Sequence, residues 1–243
     1  MSDHDTSPLM RQYREIKRGY EQAILFFRVG DFYEMFYQDA QEASRILSIA
    51  LTSRDKNSPS PVPLCGVPYH AATGYIAKLL KAGRTVALCE QVEDPKLAKG
   101  LVRREVVRLY TPGTLVETEF LSPVESNFLA AVAVSPTAKP QLVIGLAMLE
   151  VSTGEFWIAE FQGDQAQTQT LDELARLDPR EILFAPAADR QDSAWLEQMK
   201  GIRLCERDAS TFDAERAARL LQEQFHIHSL EAFGCQGLTA GIG

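Results

Sequence analysis

The segment that most constrains the fold is residues 30–37, Gly-Asp-Phe-Tyr-Glu-Met-Phe-Tyr, which directly follows the apolar run of residues 24–29. A short apolar run predicts a buried strand, and the pair Gly30-Asp31 predicts a turn after it. If the aromatic segment continues as a second strand, alternate side chains point to opposite faces of the sheet. Phe32 and Glu34 would then share one face, while Tyr33 would point to the other.

An exposed aromatic ring beside a carboxylate suits a protein that separates stacked bases. The ring enters a base step as a wedge, and the neighbouring group forms a hydrogen bond with a base. From these residues alone there is an alternative, because most aromatic residues in strands belong to the core. In that alternative Phe32 is buried and Glu34 is an ordinary solvated strand residue.

The pattern of the first half predicts a small mixed-sheet α/β domain. Ser7 and Pro8 suit the N-cap and first position of a helix whose apolar side includes Met10 and Tyr13. Periodicity and turn residues then predict strands over 24–29, 49–52, 85–91 and 104–110, helices over 38–48 and 71–82, and a loop over 56–63. Gly83 is expected to end the second of these helices.

The second half predicts a different α/β domain. Three consecutive strands, 127–135, 141–151 and 155–161, are followed by alternating elements, with helices over 168–178, 193–200 and 212–225 and strands over 181–185 and 202–205. That is the element order of a ribonuclease-H-like fold. Residues 111–123 show no periodicity, so we expect domains at 1–116 and 127–237, a linker at 117–126, and the start of a further domain at 238–243.

Charge is distributed unevenly between the two halves. Residues 1–118 contain 16 of the 25 Lys and Arg residues and 14 of the 33 Asp and Glu residues, which leaves 9 bases and 19 acids for residues 119–243. The first half is therefore able to meet phosphates, and the second half repels them. This division predicts a DNA-binding unit joined to a unit with another partner.

Other classes of function find little support in the sequence. There is no P-loop pattern, no Gly-x-Ser-x-Gly, His-Glu-x-x-His or dinucleotide-binding motif, and no apolar stretch of the roughly 18 residues that a membrane span needs. The N-terminus is polar and the cysteines are widely separated, so we expect a cytoplasmic chain with reduced thiols and no metal site. A ribonuclease-H-like nuclease remains an alternative, for which Glu150, Glu155 and Glu160 are the candidate metal ligands.

Several motifs resemble one known family. The segment Gly-Asp-Phe-Tyr-Glu at 30–34 is followed by Pro-Leu-Cys-Gly-Val-Pro-Tyr-His-Ala at 63–71, Val-Ala-Leu-Cys-Glu-Gln at 86–91 and Val-Val-Arg-Leu-Tyr-Thr-Pro-Gly-Thr at 106–114. This series is similar to the N-terminal part of the MutS family of DNA mismatch-recognition proteins. The resemblance begins near Leu9 and extends to the C-terminus.

The resemblance implies a mismatch-recognition domain followed by a connector. Phe32 and Glu34 match the family's Phe-x-Glu motif, which implies that Phe32 enters mismatched or looped-out DNA from the minor groove. Arg54 and Arg104 fall where the family has DNA-contacting arginines. We expect six basic residues in two loops to contact phosphates. The alternative for each of them is a solvated surface charge with no DNA contact: Arg54, Lys56, Lys99, Arg103, Arg104 and Arg108.

For the remainder of the family's activity, the resemblance implies partners and parts outside this chain. The connector of the family contacts a MutL-type protein. The family's dimer contacts and its ATPase, which uses ATP and Mg²⁺, lie mainly in domains that this sequence does not contain. The chain itself is therefore expected to bind mismatched double-stranded DNA without being an enzyme.

Overall fold

The computed structural model describes residues 7–54, 60–93, 100–114, 126–135, 141–185 and 194–243. These residues form two compact units that divide between Pro112 and Gly113. Each unit has its own mixed β-sheet with helices, so the chain has the mixed α/β fold that its sequence predicts. The predicted linker, 117–126, lies almost entirely outside the described residues, and the predicted domain limits stay predictions.

The first unit contains a six-stranded sheet. In chain order its elements are α1 (Pro8–Arg18), β1 (Ala23–Val29), β2 (Phe32–Phe36), α2 (Tyr37–Leu47), β3 (Thr52–Arg54), β4 (Val62–Pro68), α3 (Ala72–Lys81), β5 (Thr85–Gln91) and β6 (Arg104–Tyr110). The strand order is β3-β4-β2-β1-β5-β6. Within the described residues β1 and β5 are parallel and the other neighbours are antiparallel.

The first helix begins as its sequence predicts and covers one face of the sheet. The Ser7 hydroxyl accepts a hydrogen bond from the amide of Met10, and the proline follows at once. Tyr13 is buried with its ring edge-on to Phe27 and Phe36, at centroid distances of 5.5 and 4.9 Å. Such aromatic contacts add to the burial of apolar area that holds the helix on the sheet.

A buried carboxylate ties this helix to the sheet. Asp39, in the first turn of α2, accepts hydrogen bonds from the Tyr13 hydroxyl (3.1 Å), the Lys17 ammonium (2.8 Å) and the backbone amide of Leu25 (3.0 Å). A buried charge is tolerated only when it is paired and hydrogen-bonded in this way. The strand that leads to the aromatic segment is therefore fixed to both α1 and α2.

Two predictions for the first unit are wrong in detail. The short strand expected at 49–52 is β3, which begins at Thr52. Residues 62 and 63 belong to β4, not to the predicted loop over 56–63, of which 56–59 lie outside the described residues. The prolines of this segment argued against a strand, but in β4 Pro63 pairs with Ser53 of the short β3, and Pro68 is its last residue.

The second unit contains a five-stranded sheet. Its elements are β7 (Phe128–Val134), β8 (Val143–Glu150), β9 (Glu155–Gln162), α4 (Ala166–Leu177), β10 (Glu181–Phe184), β11 (Arg203–Glu206), α5 (Ala214–Phe225) and α6 (Thr239–Ile242). The strand order is β11-β10-β7-β8-β9, with β7, β10 and β11 parallel and β8 antiparallel to both of its neighbours. This order is the one that the predicted ribonuclease-H-like fold requires.

One segment of the second unit differs from expectation, because the helix predicted over 193–200 is a 3₁₀ segment, Ala194–Gln198. Residues 238–243, where the start of a further domain is predicted, pack on the sheet of this unit. The carboxylate of Glu160 accepts hydrogen bonds from the amides of Ala240 and Gly241, at 2.6 and 3.0 Å. Gly145 permits this approach, because a Cβ atom there would lie 1.9 Å from the Ala240 carbonyl oxygen.

Candidate nucleic-acid interface

A tight turn presents Phe32 at the surface of the first unit. Gly30 has a φ of +56°, a conformation that favours glycine, and joins β1 to β2 in an antiparallel hairpin. Phe32 is the first residue of β2 and is 48% exposed, whereas its neighbour Tyr33 is 4% exposed. The structure therefore does not support the alternative in which Phe32 belongs to the core.

Strand pairing shows which residues share the face of Phe32. Paired residues on neighbouring strands project to the same side of a sheet. Phe32 pairs with Val29 and with Pro68, and two positions further on Glu34 pairs with Phe27 and with Gly66. We call this side of the sheet the Phe32 face. The alternation predicted for residues 32–34 is confirmed.

Glu34 lies half-buried on the Phe32 face. Burial raises the pKa of Glu34, and the positive charges of Arg54 and Arg104 oppose this shift without reversing it. Gly66, directly opposite, has no side chain to cover the carboxylate, and it is exposed. The arrangement holds a carboxyl group that is easier to protonate than usual two residues from an exposed aromatic ring.

The two arginines that influence Glu34 have different surroundings. Arg54 ends β3 opposite Val62 and is partly exposed on the Phe32 face. Arg104 lies on the same face but is only 6% exposed. Its guanidinium donates to the carbonyls of Arg28 (2.6 Å) and Val102 (2.9 Å) and to the side-chain oxygen of Gln12 (3.0 Å).

The expectation that Arg104 is a surface phosphate contact is therefore not supported. Its guanidinium lies over the ring of Phe27, 5.0 Å from the centroid, and its Nε and Nη1 atoms donate to protein acceptors. Burial lowers the pKa of Arg104, as it does for any cation removed from water. In the sequence Arg104 stands among other basic residues and is therefore predicted to be a surface charge. Its burial results from the packing of α1 and β1 around it, which the local sequence does not reveal.

Two further predicted basic residues, Arg108 and Arg103, lie within the described part of the chain. Arg108 pairs with Leu88, which pairs in turn with Phe26, so its side chain lies on the sheet face opposite Phe32. There its guanidinium is 4.4 Å from the centroid of the Tyr110 ring. Arg103 is largely exposed and pairs with Glu105 at 3.2 Å. Lys56 and Lys99 lie outside the described residues.

Sequence reasoning missed a polar cluster behind the hairpin, on the face opposite Phe32. It consists of Arg28, Tyr33, Tyr69 and Glu90. Its signal in the sequence was Arg28 itself, the one charged residue in the apolar run of residues 24–29. A charge retained in a buried strand usually has a partner.

The carboxylates considered for a nuclease do not converge. Glu150 and Glu155 pair at one end of the β8–β9 hairpin, whereas Glu160 pairs with Gly145 further along it and binds the backbone of α6. Across the described ranges of the chain, no group of three or more metal-binding side chains lies together. This arrangement does not favour the two-metal alternative, which needs clustered carboxylates. None of the helices within those ranges has the length and apolar content of a membrane span.

Comparison with known proteins agrees with the division into two units. Residues 7–119 match the family model of MutS domain I, and residues 127–243 match that of MutS domain II. A protein of Syntrophomonas wolfei named DNA mismatch repair protein MutS is 46% identical over 98% of this chain and 27% of its own length. A protein of the same name from Syntrophobacter fumaroxidans is 48% identical over 97% of this chain and 26% of its own length.

The chain spans about a quarter of the length of the curated relatives that it matches. Within that quarter the two domain models follow each other in order and leave few residues of this chain unmatched. Given these matches and the identity to proteins named MutS, the chain belongs to the MutS family.

Proposed function

We propose that this chain binds mismatched or looped-out bases in duplex DNA by inserting Phe32 at the lesion from the minor groove, and that this step initiates mismatch repair. One observation carries the proposal: a chain of the MutS family exposes Phe32 on the same sheet face as the half-buried Glu34. The proposal assigns binding to this chain, and no catalytic step.

The physical basis of recognition is a difference in the cost of deforming DNA. A mispaired step stacks and pairs less well than a paired step, so a ring is inserted there at a lower cost. Stacking of a base on the Phe32 ring then recovers on the order of 1–3 kcal/mol. Phe32 therefore senses deformability, and it needs no contact that reads a particular base.

Glu34 adds to the discrimination through its charge. As a carboxylate it repels phosphates, which weakens binding to every duplex, and when protonated it donates a hydrogen bond to a base at the lesion. The raised pKa of Glu34 supports this role, because phosphates would shift the pKa further in the same direction. We place the side chain of Arg54 near the phosphates of the DNA backbone, and Lys99 is a further candidate for such a contact. Arg108, on the other face, is not needed for wedge insertion.

The second unit is proposed to serve a protein partner of the MutL type. Residues 119–243 contain 10 more acidic than basic residues, since 19 acids face 9 bases, and so disfavour DNA. Binding of ATP and Mg²⁺ and most dimer contacts would belong to other parts of a longer protein. A binding measurement between residues 113–243 and a MutL-type protein without DNA tests this assignment, and binding of duplex DNA instead would contradict it.

Wedge insertion is tested by Phe32→Ala, with fluorescence anisotropy on matched and singly mispaired duplexes over a salt series. We expect the preference for the mispaired duplex to fall by about tenfold, because about 1.4 kcal/mol of stacking is removed, while weak salt-dependent binding remains. The measurement is made on this chain and on a full-length MutS protein that carries it. Phe225→Ala is the matched control, since that ring is also 48% exposed but lies in the second unit. An unchanged preference after Phe32→Ala would refute the proposal.

A further inference from the structure

The turn that carries Phe32 is held from the opposite side of the sheet by Arg28. The Arg28 side chain projects with that of Tyr33, its partner across the hairpin, and is 16% exposed. Its Nε atom donates a hydrogen bond to the carbonyl of Gly30 at 2.6 Å. Its guanidinium carbon lies 3.9 Å from the centroid of the Tyr69 ring. The same group thus contacts both the turn and Tyr69, the residue that follows β4.

Glu90 of β5 anchors both strands of the hairpin. Its Oε1 atom lies 3.7 Å from an Nη atom of Arg28, and it also accepts a hydrogen bond from the hydroxyl of Tyr33. Burial and this hydrogen bond raise the pKa of Tyr33 to about 12. One carboxylate therefore contacts Arg28 of β1 and Tyr33 of β2, one residue on each strand of the hairpin.

A third contact fixes the turn from the residue that follows β4. The backbone amide of Tyr69 donates to the carbonyl of Asp31 at 3.0 Å. Both carbonyls of the turn therefore accept hydrogen bonds from protein donors. Arg28 donates to Gly30, and the amide of Tyr69, whose ring contacts the Arg28 guanidinium, donates to Asp31. A planar guanidinium provides the stack and the fork of donors together, which a lysine does not.

We propose that Arg28 is a positioning residue that holds the 30–31 turn rigid, so that Phe32 is presented in its inserting orientation before DNA is met. The inference rests on the proposed role of Phe32. A rigid Phe32 loses little conformational entropy on insertion. For a mobile Phe32, the entropy cost of ordering the turn would offset part of the free energy gained by stacking. Arg28 acts through the turn and through Tyr33, and not through contact with a base.

The first test needs no DNA. In the variant Arg28→Gln, backbone ¹⁵N order parameters of Gly30, Asp31 and Phe32 should fall from about 0.85, typical of rigid backbone, to below about 0.6. Arg84→Ala is the matched control, because it removes another ion pair of the same unit (Arg84 to Glu42, 2.6 Å) that is remote from the turn. Order parameters that stay at the wild-type level in Arg28→Gln would overturn the inference.

The second test measures discrimination. Arg28→Gln should reduce the ratio of mispaired to matched affinity by about tenfold, while affinity for matched duplex changes less than about twofold, since no phosphate contact is lost. Arg28→Lys should restore the pairing with Glu90 but only part of the ratio. An equal loss of affinity on both duplexes would overturn the inference, because it would mean that Arg28 contacts the DNA backbone.

The outcomes separate this inference from the proposed function. If Phe32→Ala abolishes the mismatch preference but Arg28→Gln leaves it intact, the wedge stands and the positioning role falls. If the wild-type protein shows no mismatch preference, the proposed function falls, and the order parameters still decide whether Arg28 holds the turn. Should Arg28→Gln fail to fold, Arg28→Lys replaces it, because lysine keeps the charge that pairs with Glu90 but lacks the planar fork of donors and the stack on Tyr69. Order parameters at the wild-type level in Arg28→Lys would then overturn the inference.

Discussion

The Nε atom of Arg104 donates a hydrogen bond to the backbone carbonyl of Arg28, with a donor–acceptor distance of 2.6 Å. Arg28 lies one residue beyond the last pair that β1 forms with β5. The Arg104 guanidinium thus donates a hydrogen bond to the carbonyl of the residue at which the pairing of β1 with β5 has ended. It also donates to the side chain of Gln12 in α1. A residue that looks like a DNA contact in the sequence is, in the fold, a link between α1, β1 and β6.

Arg104→Ala should therefore destabilise the first unit. Three acceptors would lose their donor within the protein, and we expect the free energy of unfolding to fall by about 2–3 kcal/mol. Urea denaturation of the chain measures this change. Arg103→Ala is the control, because the Arg103 side chain is 67% exposed and its surface ion pair contributes less than about 1 kcal/mol. An unaltered stability in Arg104→Ala, together with a smaller salt dependence of DNA binding, would restore the original interpretation as a phosphate contact.

Glu34→Gln should strengthen binding to matched DNA more than binding to mispaired DNA. Glutamine keeps a hydrogen-bonding side chain of the same length but removes the repulsion between carboxylate and phosphate. Anisotropy titrations on both duplexes at several salt concentrations measure the two changes. Matched-duplex affinity that is the same in both proteins at every salt concentration would contradict the role given to the carboxylate.

The same substitution should change how stability depends on pH. Because the pKa of Glu34 is raised by burial in the folded state, the folded protein binds its proton more tightly than the unfolded chain does. The stability that Glu34 contributes is therefore full below the usual glutamate pKa and is lost as the pH rises through the raised value. Glu34→Gln should not show this loss of stability. The stability of the variant relative to the wild type should therefore increase between acid and neutral pH. Parallel pH–stability curves for the two proteins would show that Glu34 is not perturbed.

Gly145→Ala should release the C-terminal helix from the second unit. The added methyl group would meet the backbone of Ala240 at 1.9 Å, and the strain of such overpacking is typically about 1–3 kcal/mol. Amide hydrogen exchange at Ala240 and Gly241, whose amides bind Glu160, should become faster than in the wild type. Gly74→Ala is the control, since nothing lies within 4 Å of its added methyl group, and a helical alanine is favourable. Equal exchange in both variants would show that the helix does not depend on Gly145.

Much of the fold is predictable from local pattern, and the failures have physical causes. The strands 85–91 and 104–110 have the limits predicted from their sequence pattern, and Gly83 has the positive φ expected after a helix. β4 was missed because its prolines oppose strand formation locally, while its pairing with β2 and β3 is a long-range property. α6 has only four residues, and its docking depends on Gly145 and Glu160, which are distant in the sequence.

The candidate site was predictable only in part. Phe32 and Glu34 were predictable as residues of one face, because side chains alternate along a strand whatever its neighbours are. The sides taken by Arg104 and Arg108 depend on a register shift between β5 and β6 at residues 88 and 89, which no local pattern reveals. For the same reason the partners of Arg28 are invisible in the sequence, since Tyr33 and Glu90 are 57 residues apart.

The parallel pairing of β1 with β5 sets an order of events during synthesis. β1 and β2 leave the ribosome together, but the strand that completes the centre of the sheet comes only after α2, β3, β4 and α3. A nascent chain that ends before Thr85 therefore has its hairpin without a second neighbour for β1 and without the carboxylate of Glu90. Non-local pairings of this kind make folding slow, because closing the long intervening chain costs entropy before the new contacts can stabilise it. Phe32 is thus among the first residues of the unit to be synthesised, and its strand is among the last to gain all of its neighbours.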